Sequence, residues 1–381
     1  MKIAIFSDTY APEVNGVART LQKLSGYLKE KHIAHKIYVP ENRGQTIEYS
    51  GVERLTSFPF LLYPECRMAL PNFSSLNQSL NDFSPDLIHI ATPFNVGLYG
   101  HYFGKKHRIP MVASYHTHFD DYLDYYHLSL LKNWFWRYME WFHRPFEKVY
   151  VPSVSTRDKL YMKNIHSNIG IWGRGVNHQF FSPANRSAEM KKRYGIKEKF
   201  ILLYVGRVSV EKDVQTVLNT FKSLPPSLYD DTHLIVAGDG PLLSQLQAAE
   251  PEKTTFTGFL KGERLAEVYA SSDVFIFPSS TETFGNVVLE ALSSGLPVIG
   301  ADKGAVPHLI DHGSTGFLCP PKHTQSFVKH TETLLWNEEY RKQMSDRARK
   351  FALTQSWDDI FSGLIGGYEE VLKKNKVLTS A

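Results

Sequence analysis

Short apolar runs alternate with helix-spaced segments along nearly the whole chain, and they do so in two series. In the first, Lys2–Phe6, His35–Val39, Leu87–Ile90, Met111–Tyr115 and Lys148–Val151 are enriched in β-branched residues and bounded by turn-forming punctuation. In the second, Phe200–Val205, His233–Ala237, Thr254–Thr257, Val274–Phe277 and Pro297–Gly300 repeat the pattern. Runs this short and this apolar predict strands covered on both faces, hence parallel sheets with right-handed helical crossovers. The fold class expected is α/β, with two parallel-sheet domains.

A stretch with three glycines in six residues, Gly170-Ile-Trp-Gly-Arg-Gly175, continues into Val176-Asn177 and reads as a hinge. The expected division is therefore residues 1–177, residues 178–355, and a terminal segment 356–381. A chain of 381 residues has room for two domains of ordinary size. From Trp357 onward, Ile360, Phe361, Leu364, Ile365, Tyr368 and Val371 form one apolar stripe. A helix with such a stripe needs an apolar partner, and it is expected to cross back to the first domain.

The chemistry concentrates in the second series. The run Val274–Phe277 feeds Pro278-Ser-Ser-Thr-Glu282-Thr-Phe-Gly285-Asn286, and helical spacing follows through Val287, Leu289, Ala291 and Leu292. Strand, loop and helix start make an anion site at Gly285 and Asn286, because unpaired amides and the helix dipole both favour negative charge. Glu282 is a poor phosphate ligand but a good acceptor for sugar hydroxyls beside a phosphate. Glu290 is placed to reach a second set of hydroxyls, such as a ribose. The plain alternative is an ordinary helix start with a favourable acid nearby. Arg207 and Lys212 follow another strand end, where a guanidinium fork and a point charge suit a pyrophosphate. Surface cations without a ligand are the alternative for either one.

In the first series, Gly16 opens the helix-spaced run Val17, Leu21, Leu24 and Leu28, beyond the end of Lys2–Phe6. Ligands of open α/β sheets bind at such strand ends. A glycine needed only for the turn is the alternative. His116-Thr-His118 follows Met111–Tyr115 directly. No third metal ligand has recognisable spacing, so His116 reads as a hydrogen-bonding or acid/base group, with a structural histidine as the other option. No cofactor and no metal are expected.

Residues 122–147 interleave Tyr122, Tyr125, Tyr126, Trp134, Phe135, Trp136, Tyr138, Trp141, Phe142 and Phe146 with Lys132, Arg137, His143 and Arg144. Rings and cations together suit a bilayer interface. Core packing, and stacking on sugar or nucleic acid, are the alternatives. A net charge of +4 is too mild to point to nucleic acid, and none is expected as a partner. Cys66 and Cys319 fall in different halves, so no disulfide framework is implied and a reducing compartment is expected. Met1–Phe6 is too short and too quickly polar for a signal peptide, and no apolar run approaches the roughly 20 residues that span a bilayer. The location expected is cytoplasmic, peripheral on the inner face of the cell membrane.

Taken together, these motifs resemble the retaining glycosyltransferases of GT-B type, family 4. Glu282 and Glu290 match that family's paired acids, separated by seven residues. Gly206-Arg207 with Lys212 matches its phosphate-binding pair, and Gly238-Asp-Gly240-Pro241 its glycine turn. Gly175-Val-Asn177 followed by Phe180, Phe181 and Pro183 matches its interdomain hinge, with Asn177 where Asp is common. Pro12-Glu-Val-Asn-Gly-Val17, His116-Thr-His-Phe119 and Trp136–His143 look like the branch of bacterial mannosyl, glucosyl and sulfoquinovosyl transferases that act on glycolipids. Many relatives carry Gly where Asn15 stands.

The resemblance implies two Rossmann-like domains facing a central cleft whose closure excludes water. It implies a nucleotide-sugar donor, of GDP-mannose or UDP-glucose type, and a lipid or glycolipid acceptor. Gly16 would close on the donor phosphates, and Arg207 and Lys212 would neutralise the pyrophosphate. Glu282 with the amides of Phe284, Gly285 and Asn286 would hold the transferred sugar, and Glu290 the ribose. Backbone at Gly258, Phe259 and Leu260 would cradle the base, and His116 would contact the sugar near its reacting carbon. The rival expectations are a soluble acceptor on the same fold, or a non-catalytic nucleotide-sugar-binding protein.

Overall fold

The computed structural model describes residues 1–13, 15–41, 50–59, 67–70, 72–116, 129–249 and 252–380. They form two compact units, residues 1–173 with 358–381, and residues 174–357. The first crossing falls inside the glycine-rich 170–177 stretch.

The first unit holds β1 (Lys2–Phe6), β2 (Ala34–Pro40), β3 (Val52–Leu55), β4 (Ser57–Pro59), β5 (Arg67–Ala69), β6 (Leu87–Ile90), β7 (Met111–Ser114), β8 (Lys148–Val151) and β9 (Ile169–Ile171). Seven of these pair in parallel in the order β3-β2-β1-β6-β7-β8-β9, while β4 and β5 form a small antiparallel ribbon. The second unit holds β10 (Phe200–Val205), β11 (Thr232–Ala237), β12 (Thr254–Gly258), β13 (Val274–Phe277), β14 (Val298–Ala301) and β15 (Gly316–Cys319), parallel in the order β12-β11-β10-β13-β14-β15. The central strands β1, β6, β10 and β13 are buried almost throughout, which is why their apolar runs are unbroken.

Among the described residues five strands escape the sequence reading: β4 and β5 of the ribbon, and β3, β9 and β15, each at the edge of a larger sheet. An edge strand packs against one neighbour only, so Val52-Glu-Arg-Leu55 tolerates charges and both Ile169-Gly-Ile171 and Gly316–Cys319 tolerate glycine. Gly170 is thus a strand residue, and the boundary between the units falls after Gly173. A Cβ there would stand 2.9 Å from Lys148 Cε. Gly175 is also tightly packed, since its Cβ would meet the Trp357 amide at 2.5 Å, and Val176 N donates to Gln355 O at 3.1 Å.

The terminal helix runs Trp357–Ser380, longer than its apolar stripe suggests. Phe361, Leu364, Tyr368 and Val371 are buried. Tyr368 Oη lies 2.6 Å from His89 Nδ1 on β6, and Phe361 contacts the Tyr27 ring. Its apolar face therefore belongs to the first unit.

Candidate active site

The site in the second unit starts from strand ends that come unusually close. A Cβ on Gly238, just past β11, would stand 1.8 Å from Gly206 O, just past β10. Gly206 N donates to Ala237 O at 3.0 Å, and Gly238 N to Gly258 O at 2.9 Å. Backbone without side chains therefore lines this part of the sheet's C-terminal edge. Arg207 and Phe259 stand exposed beside it, and Leu260 packs against the core. Tyr204, buried at the end of β10, donates from its hydroxyl to Arg207 O at 2.9 Å.

The loop after β13 supplies the carboxylate. Lys212 ends a 3-10 turn over Val210–Lys212, and its Nζ lies 2.5 Å from Glu282 Oε1. Ser279, fully buried, donates to the same oxygen at 3.1 Å. Thr281 Oγ1 donates to Glu211 O at 3.4 Å, a second tie between the cationic turn and the acidic loop. The Lys212 and Glu282 side chains are 19% and 17% exposed, so their charges meet largely out of water.

Gly285 has φ +94° and ψ +55°, a left-handed conformation that glycine adopts without strain. It starts the helix Asn286–Ser293, which has no side-chain cap. The first amides of such a helix have no intrahelical partner, and they carry the positive end of the dipole. Phe284 packs partly against the core ahead of them. One turn on, Glu290 Oε2 accepts from the buried Tyr269 hydroxyl at 3.1 Å. Burial, and then the carboxylates of Glu282, Glu211 and Asp213, hold the Tyr204 phenol far above its ordinary pKa, so it stays a donor.

Arg207, Lys212, Gly258, Phe259, Leu260, Glu282, Phe284, Gly285, Asn286 and Glu290 thus all lie at or beyond the C-terminal ends of β10, β12 and β13 in one unit. Gly16 and His116 lie in the other. Gly16 is the first residue of the helix Gly16–Glu30, whose cap is Asn15, with Oδ1 accepting from Ala18 N at 2.9 Å. His116 is buried just past β7, edge-on to the Trp172 ring at 5.0 Å. Residues 117–119 of its motif lie outside the described residues, as do Cys66, Tyr122, Tyr125 and Tyr126.

Several groups escaped the sequence reading. Asp8, past β1, accepts from Val96 N at 2.8 Å and from Thr92 Oγ1 at 2.6 Å. Tyr204 had a signal available, as the one hydroxyl in an otherwise apolar strand. Ser279 had none. Among the described residues, no three His, Cys, Asp or Glu side chains are grouped to hold a metal.

The aromatic stretch divides by face on the helix Lys132–His143. Phe135, Met139 and Phe142 are buried, while Trp134 and Trp141 are 69% and 55% exposed. Among the described residues no helix is long and apolar enough to cross a membrane.

The family described as Glycosyltransferase Family 4 matches residues 14–180, and Glycosyl transferases group 1 matches residues 186–351. A GDP-mannose-dependent alpha-mannosyltransferase of Mycobacterium tuberculosis is 31% identical, over 97% of this chain and 97% of its own. An alpha-monoglucosyldiacylglycerol synthase of Streptococcus pneumoniae is 31% identical over 85% of this chain and 76% of its own. Among solved structures, a sucrose-phosphate synthase of Thermosynechococcus elongatus superposes with a TM-score of 0.80 at 18% identity, covering 98% of this chain and 100% of that one. The two family matches and the near full-length likeness make this chain a member of glycosyltransferase family 4, a hexosyltransferase with the GT-B fold.

Proposed function

We propose that the second unit binds a nucleoside diphosphate hexose and that the enzyme passes the hexose, with retained configuration, to a lipid or glycolipid acceptor. The observation that carries this reading is the meeting of Arg207, Lys212, Glu282 and the uncapped helix at Asn286 on one sheet edge. Arg207 and Lys212 take the pyrophosphate. Glu282 and the amides of Phe284, Gly285 and Asn286 hold the sugar, and Glu290 holds the ribose. For Gly16 and His116 the family resemblance implies contact with the donor phosphates and with the sugar near its reacting carbon.

In the transfer, the bond between the anomeric carbon and the phosphate oxygen breaks while the acceptor oxygen bonds on the same face. The acceptor proton goes to the departing phosphate. Negative charge grows on the leaving diphosphate, and preorganised cations and helix amides stabilise it without a metal. One curated relative is named for GDP-mannose and the other for a glucosylated diacylglycerol, which supports a nucleotide-hexose donor and a lipid acceptor. Trp134 and Trp141 support contact with a membrane surface, where such an acceptor resides.

Thermal stabilisation by UDP, GDP and ADP, each with and without its common sugars, tests the donor half. A ligand that binds only the folded protein raises the melting temperature by mass action. One nucleotide is expected to stand out. No shift with any of them overturns the reading.

A further inference from the structure

Tyr204 is the one polar side chain in β10, whose other residues are Phe200, Ile201, Leu202, Leu203 and Val205. Its ring is fully buried and stacks on Phe277, the last residue of β13, at 6.3 Å. Phenylalanine would fill the same space. A buried hydroxyl is unfavourable unless it is hydrogen-bonded, and this one turns back to Arg207 O at 2.9 Å. Gly206 makes the turn possible, because a Cβ there would stand 2.8 Å from the Tyr204 hydroxyl. The hydroxyl therefore fixes the first residue of the turn that runs from Arg207 to Lys212. That turn is also held by Val208 N on Asp239 O at 2.9 Å, so the Tyr204 bond settles where it leaves the strand.

We propose that Tyr204 is a positioning residue for the diphosphate of the donor, acting through the Arg207 carbonyl on the turn that carries Arg207 and Lys212. The proposal rests on the nucleotide-sugar reading above. Tyr204→Phe removes one oxygen and leaves the packing intact. The loss of one neutral hydrogen bond corresponds to roughly a three- to tenfold change in affinity.

Calorimetric titration of wild type and Tyr204→Phe with GDP, UDP and the matching monophosphates tests it. The expected result is a three- to tenfold weaker diphosphate and an unchanged monophosphate. In an Arg207→Ala background the Tyr204→Phe effect on the diphosphate should shrink, because the two act in series. An unchanged diphosphate affinity overturns the proposal. So does an equal loss for both nucleotides, or an effect that persists in full without Arg207, since each would mean general packing. A wild type that binds none of the nucleotides overturns the donor reading itself, a distinguishable outcome.

Discussion

Lys212 Nζ and Glu282 Oε1 are 2.5 Å apart, joined across seventy positions of sequence. Both groups are assigned to the same donor, one to its diphosphate and one to its sugar. With Lys212 and Ser279 both on Oε1, the carboxylate is held in one orientation before any sugar arrives. Glu282→Ala should therefore abolish transfer, a loss of at least roughly 100-fold in turnover by analogy with removing one preorganised polar group. Nucleoside diphosphate binding should survive, because Arg207, Lys212 and the helix amides remain. Unchanged turnover in a coupled nucleotide-release assay would refute the role.

Two buried groups in the first unit should give its stability opposing pH dependences. Burial pushes the Asp8 carboxyl up to about 6, against the bonds from Thr92 and Val96. The folded state then holds that proton more tightly than the unfolded chain between pH 4 and 6, so this contribution to stability falls as pH rises through that window. Burial pulls the His89 imidazole down to about 3, where it is bonded to Ser114 and Tyr368. The unfolded chain takes up that proton below about pH 6.5, so this contribution is lost as pH falls toward 3. Asp8→Asn removes the first effect only. Its stability relative to wild type should be most favourable above pH 6 and decline by up to about 3 kcal/mol on going to pH 4. Urea midpoints from pH 4 to 8 measure this, and a pH-independent difference would contradict it.

Much of this arrangement was legible because its charged residues and glycines stand directly after apolar runs. Arg207, Lys212, Glu282, Gly285 and Glu290 each follow an unbroken apolar run, and the runs themselves fix the parallel sheets. What stayed hidden depends on contacts that exist only in the folded chain. Ser279 shows its bond to Glu282 only once the loop is folded, and Asp8 meets Val96 across eighty-eight positions. Edge strands such as β9 carry weak patterns because one side lacks a neighbour, which is why Gly170 looked like hinge. The aromatic segment was ambiguous in sequence because one helix serves two solvents, Phe142 facing the core and Trp141 the outside.

Gly238→Ala should damage the second unit severely. The new methyl would lie 1.8 Å from Gly206 O, and neither side of that contact is a flexible side chain. Overpacking against backbone costs typically about 1–3 kcal/mol, and here it also parts β10 from β11 at the Arg207 turn. The urea midpoint should fall, and nucleotides should no longer raise the melting temperature. A wild-type midpoint with intact nucleotide stabilisation would show that the strand ends can separate harmlessly.

Transfer should proceed in excess EDTA. If Arg207, Lys212 and the helix start at Asn286 supply the charge that faces the diphosphate, as proposed, no divalent ion should be needed to neutralise it. Turnover within about twofold of the untreated enzyme is the expected outcome. Loss of activity on chelation, restored by magnesium or manganese, would mean that these groups do not suffice.

Contact with lipid should depend on Trp134, Trp141 and Lys132 together. The two indoles project from the helix Lys132–His143 while Phe135, Met139 and Phe142 anchor its other face, so replacing them should leave the fold intact. Indoles favour the headgroup boundary, and each cation near an anionic surface adds roughly 1 kcal/mol that salt weakens. Wild type should sediment with vesicles rich in anionic phospholipid and be partly released at high ionic strength. The triple alanine variant should stay in the supernatant yet keep its nucleotide-induced melting shift. If wild type bound no vesicle of any composition, the lipid acceptor would give way to a soluble one, with the donor site unaffected.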